Sequence, residues 1–140
     1  MRNAIVVLIV VIGVAPLGCG PSRPATVRVS GRVVPPTGAW PASGLLIFLP
    51  EAAAGEGLSR PGRAVFGVDG RFTAGAFTDD DGLLPGRYRV IVQCGEPVGD
   101  NDAPTASHVP ARYGSPATTD LTLDVPATSR GVEAVFSLRP

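Results

Sequence analysis

Apolar and polar positions alternate with a period of two along most of this chain, the spacing of strands that cover one face and wet the other. In Thr26–Val34, Val27, Val29 and Val33 share one side, and Arg28, Ser30 and Arg32 the other. In Arg87–Cys94, Tyr88, Val90, Val92 and Cys94 are opposed by Arg87, Arg89 and Gln93. Leu121, Leu123 and Val125 alternate with Thr122 and Asp124, and Val132, Ala134, Phe136 and Leu138 with Glu133, Ser137 and Arg139. Leu45–Leu49 is apolar at every position between Gly44 and Pro50, which predicts a central strand covered on both faces. Arg63–Val68 and Arg71–Phe77 flank Asp69-Gly70, a dipeptide suited to a two-residue type I′ hairpin turn. Together these segments predict an all-β domain, a single antiparallel β-sandwich of about seven strands. No stretch shows helical periodicity; Ala52-Ala53-Ala54 is cut short by Gly55 and Gly57. Gly95–Thr119 contains Pro97, Pro104, Pro110 and Pro116, and predicts a long irregular connection of the kind that often carries function.

Composition narrows the choice. The 140 residues include 18 Gly and 15 Pro, together about twice the usual share, which disfavours helix interiors. A 44% hydrophobic content argues against simple disorder. The 12 basic residues, all Arg, balance 12 acidic ones without forming a basic block, so no nucleic-acid partner is expected.

The N-terminus has its own pattern. Met1-Arg2-Asn3 precedes an apolar run from Ala4 to Ala15, then Pro16-Leu17-Gly18-Cys19. One positive charge, a short apolar core and small residues before a cysteine form a secretory signal layout. The run is shorter than the ~20 residues of a spanning helix. Leu17-Gly18-Cys19 resembles a bacterial lipobox, although Pro16 stands where that pattern usually has Leu. The resemblance implies that residues 1–18 are a signal peptide and that Cys19 is lipidated with fatty acyl chains such as palmitate. Residues 19–25 would then tether a domain spanning 26–140. The implied location is the cell envelope, lipid-anchored to a membrane on the periplasmic or outer-membrane side. With Cys19 lipidated, Cys94 has no partner and no disulfide is expected.

Four elements in order carry a further likeness: Val29–Val33, Gly44–Pro50, Val68-Asp69-Gly70-Arg71-Phe72 and Leu84-Pro85-Gly86-Arg87-Tyr88-Arg89-Val90. Their order and spacing resemble the carboxypeptidase regulatory-like domain, a prealbumin-like (transthyretin-type) β-sandwich. The later Val109–Tyr113 and Thr119–Thr122 segments resemble a subgroup of small bacterial lipoproteins built on it. The likeness implies a non-catalytic module for an envelope protein or a glycan.

Residues suited to catalysis are sparse. His108 is the only histidine, and with Cys94 it cannot supply the three or four ligands of a zinc site. No Gly-x-Ser-x-Gly elbow is present. Asp79-Asp80-Asp81-Gly82 invites calcium, but consecutive Asp side chains on an extended chain diverge; Asp100-Asn101-Asp102 is better spaced but lies among Pro and Gly, and both read as solvated turns. Neither a metal nor a cofactor is expected. Cys94, in register with Val90 and Val92, should point inward as an inert thiol. Trp40, between Gly38 and Pro41, reads first as a core residue or a cap on the sandwich edge and second as a ligand contact; Arg112 and Tyr113 on the long connection are the better candidate contacts. They support an alternative reading in which residues 95–119 bind a glycan or a peptide. An enzyme is the reading these residues support least.

Overall fold

A computed structural model describes residues 23–51, 59–95 and 107–140. Seven strands follow in chain order: β1 (Arg28–Val34), β2 (Gly44–Pro50), β3 (Gly62–Phe66), β4 (Arg71–Thr73), β5 (Gly86–Gln93), β6 (Thr122–Val125) and β7 (Gly131–Ser137). A 3₁₀ turn occupies Ala111–Gly114, and no α-helix occurs among the described residues. The signal segment, Cys19 and Asp100-Asn101-Asp102 lie outside the described residues.

Instead of two separate antiparallel sheets, hydrogen bonding links all seven strands into one mixed sheet in the order β6-β5-β2-β3-β4-β1-β7. The departure from antiparallel pairing is β1 with β7, which run parallel from Arg28 beside Gly131 to Val34 beside Ser137. Gly31 explains why the two strands pack so closely. A side chain there would collide with the backbone carbonyl of Ala134 on β7, so only glycine admits this approach.

The sheet curls nearly into a barrel around one core. Phe48 on β2 lies 6.5 Å, ring centre to ring centre, from Phe136 on β7, although β3, β4 and β1 separate these strands in the sheet. Phe72 stacks on Phe136 at 5.9 Å, and Tyr88 meets Phe48 edge-on. Val29, Val33, Leu46, Phe66, Leu83 and Val90 fill the same interior without solvent contact. The period-two reading therefore assigns the inward face of β1, β5, β6 and β7 as observed.

Two strands depart from their sequence pattern. In β2, Leu46 and Phe48 are buried while Leu45, Ile47 and Leu49 are only partly covered, so one face is in the core and the other is half-wet. The regular strand ends at Thr73, and pairing carries on only as far as Gly75, through Ala74 N–H on the Val29 carbonyl and a bridge between Gly75 and Arg63. The Asp81 carboxylate accepts from the amides of Ala76, Phe77 and Thr78 there, at 2.8, 3.3 and 3.0 Å, which turns the chain away from strand geometry.

The hairpin at Asp69-Gly70 forms, but not as a two-residue type I′ turn. Gly70 donates to the Gly67 carbonyl at 2.8 Å, closing a turn over Val68 and Asp69. Gly70 alone takes positive φ, at 78°. This is the longer hairpin connection in which glycine supplies the left-handed position after the turn.

Candidate functional site

The chain passes out of β1 through Val34 and returns to β2 through a turn carrying Trp40. The indole folds back over the end of the core, 4% exposed. Its N–H donates to the Val33 carbonyl at 2.9 Å, and its ring centre lies 4.9 Å from that of Phe66. With its one polar atom bonded and its faces packed, Trp40 closes the core and presents no platform to a ligand.

Arg112 and Tyr113 sit together in the 3₁₀ turn, held by Tyr113 N–H on the Pro110 carbonyl at 3.0 Å. Tyr113 is 1% exposed and its phenol oxygen accepts from the Arg139 amide at 2.9 Å. Arg112 lies over the Tyr113 ring, its guanidinium carbon 5.2 Å from the centroid. It also donates to the Arg139 carbonyl at 3.2 Å and to the Pro140 carbonyl. Both side chains therefore strap the C-terminal segment, continuing β7 beyond Leu138. Neither they nor Trp40 converge on one cavity.

Of the acidic run, Asp79 and Asp80 are exposed, whereas Asp81 is used internally. Burial by itself would raise the Asp81 carboxyl, but the amides of Ala76, Thr78 and Phe77 outweigh it and hold the group below its ordinary value. The Thr26 hydroxyl bonds to the Asp81 carbonyl, and Val27 N–H to the Leu83 carbonyl at 2.8 Å. The acidic turn thus fastens the start of the domain. Among the described residues no cluster of three His, Cys, Asp or Glu side chains stands ready for a metal.

Cys94 follows β5 with its thiol buried and facing the carbonyls of Ala42 and Ser43 at 3.6 and 3.8 Å. Burial raises its pKa, only partly offset by the Ala42 contact. His108 is exposed and contributes its backbone N–H to the Cys94 carbonyl at 2.9 Å. Next to them lies a cleft of about 500 Å³, lined by Ser43, Leu45, Gln93, Gly95, Ser107 and Gly114 among others. It lies at the base of the long connection that the sequence singled out, and a second cleft, lined by Glu51, Arg89, Pro116 and Ala117, lies farther along it.

A charge network outside the sequence candidates crosses the outer face of β5. Glu51 meets Arg89 at 3.0 Å and Arg87 at 3.4 Å, and Arg87 also approaches Asp124 at 3.6 Å. Arg89 donates to the Pro116 carbonyl at 2.9 Å, tying the connection to the sheet. The alternation of Arg87 and Arg89 marked this face as polar, but only the register of β2 and β6 against β5 brings their partners in.

No protein-family model, curated protein or solved structure matches this chain.

Proposed function

We infer that this chain is a non-catalytic lipoprotein of the cell envelope, its β-domain serving as an interaction or structural module held to a membrane through Cys19. The observation that carries this reading is Leu17-Gly18-Cys19 at the end of a short apolar run, a few residues ahead of Val27. Val27 is where the described backbone begins to pair with the rest of the molecule, through Leu83, next to the Thr26 hydroxyl on the Asp81 carbonyl. A short polar segment between a lipid and the first bridge of the domain is what a surface tether requires. Two or more acyl chains hold a protein stably, each buried CH₂ contributing about 0.8 kcal/mol.

The prealbumin-like reading of the domain is supported by where the resembling motifs fall. They occupy β1, β2, the β3–β4 turn with the start of β4, and the start of β5. Phe48 against Phe136 and Phe72 sets the β2 side of the curled sheet over the β7 side, as the two layers of a sandwich would be. The test is metabolic labelling in a bacterial host with an alkyne fatty acid. The expected result is label on the wild-type chain in the membrane fraction and none on Cys19→Ser. Equal labelling of both would overturn the assignment.

The cleft beside Cys94 favours a second reading, a glycan- or peptide-binding module using residues 95–119. A glycan and peptide array separates the two. Binding that Ser107→Trp abolishes while stability is unchanged would establish the module as a receptor.

A further inference from the structure

The two edges of the sheet differ in how they are protected. β6 is four residues long, carries Asp124 and runs into Pro126, all features that discourage another strand from adding. β7 is seven residues long, Gly131-Val132-Glu133-Ala134-Val135-Phe136-Ser137, with no proline, no basic residue and one charge. Leu138 N–H donates to the Val34 carbonyl at 3.0 Å. Backbone direction alternates along a strand, so the N–H and C=O groups of Gly131, Glu133, Val135 and Ser137 point away from β1. Among the described residues, no other segment bonds to them.

The side chains beside this edge are also unpaired. Val135 is 66% exposed, and Glu133 has no ion-pair partner among the described residues. Arg32, level with Val135 on β1, stands directly across from Arg71 on β4, a like-charge juxtaposition that costs energy. Its Nε bonds only to the Asp69 carbonyl.

We propose that β7 is a self-association edge, joining two copies of this chain by antiparallel β7–β7 pairing about a twofold axis at Ala134. This register sets Gly131 opposite Ser137, Glu133 opposite Val135 and Ala134 opposite itself, so every outward N–H and C=O finds a partner. It keeps the two Glu133 carboxylates apart, whereas a neighbouring register would set them face to face. On the outer face each Val135 gains the partner's Val135 as a diagonal neighbour. The partner's Glu133 enters the row of Arg32, giving that guanidinium a carboxylate, which it has from none of the described residues. Such a contact is isologous, hence closed at two copies. This charge match is the reason to assign a second copy to the edge.

Sedimentation of the full chain in detergent, over a concentration series, tests this. The expected result is a reversible dimer of twice the mass that the same preparation shows as a monomer at high dilution. Val135→Lys should weaken it at least tenfold without lowering the melting temperature at dilutions where both proteins are monomeric, because that side chain lies outside the core. Glu133→Arg should weaken it similarly, and Glu133→Arg combined with Arg32→Glu should recover most of the loss. A chain that stays monomeric throughout overturns the proposal, as does association that neither Val135→Lys nor Glu133→Arg changes. The charge-reversal pair decides the matter should Val135→Lys prove unstable.

Discussion

The phenol oxygen of Tyr113 accepts the backbone N–H of Arg139 at 2.9 Å, joining two segments separated by 26 positions in the chain. Tyr113 is packed against the core, so the bond fixes the exit of the chain from β7.

Replacing Tyr113 with Phe keeps the ring and removes the acceptor. The expected cost is about 1 kcal/mol, or roughly 4 °C in melting temperature for a domain of this size. Arg112→Ala, at an exposed position, should cost no more than about 0.5 kcal/mol. Urea denaturation of the two variants checks the order. A larger loss for Arg112→Ala would mean that the strap depends on the guanidinium instead.

Asp81 gives the domain an acid-sensitive fastening. Its folded carboxyl titrates below the ordinary aspartate value, about 3.9, so the stabilisation is fully present above that value. It is lost as pH falls through the lower, folded-state value. Asp81→Ala leaves the amides of Ala76, Phe77 and Thr78 without their acceptor, at an expected cost of about 1–3 kcal/mol near neutral pH. Melting curves of both proteins from pH 7 to pH 2 should converge at the acid end. A gap that stays constant with pH would show that the carboxylate charge is not what the amides hold.

Two glycines make a matched pair of probes. Gly31→Ala pushes a methyl into the Ala134 carbonyl, and separating β1 from β7 should cost at least about 2 kcal/mol. Gly114→Ala meets open space without positive φ, so it should be neutral or stabilise slightly by restricting the unfolded chain. Equal effects in chemical denaturation would contradict the close parallel pairing of β1 with β7.

Cys94 should resist thiol reagents in the folded protein, since its thiol is buried and its pKa raised. Peptide mapping after timed alkylation at pH 8 should find it unmodified until urea is added. Rapid native labelling would show that the thiol opens into the cleft that Cys94 helps to line.

Much of the architecture was legible from side-chain alternation. Tyr88, Val90, Val92 and Cys94 mark the inward face of β5 because a strand turns every second residue the same way. Leu45–Leu49 was less legible, since a wholly apolar run hides which face is covered; only the neighbours of β2 decide that Leu46 and Phe48 go inward. The β1–β7 pairing was invisible for another reason. It joins the two ends of the domain, and no local signal announces a parallel partner more than a hundred positions away. Trp40 is legible as a core residue or cap, an indole beside a turn, whereas Arg112 and Tyr113 read as contacts because they are charged and aromatic residues in a connection. In the structure Trp40 and Tyr113 are both buried in the core. The role of Asp81 is not legible from the acidic run, because the amides it serves are brought to it only when residues 76–78 fold over it.

The covalent state of position 19 bears most directly on the proposed function. Intact-mass spectrometry of the chain extracted from membranes of its native host should show an N-terminus at Cys19 with the added mass of a diacylglyceryl group and fatty acid. A chain that retains Met1, or one that starts at Cys19 with no lipid attached, would contradict the assignment of this protein as a membrane-tethered module.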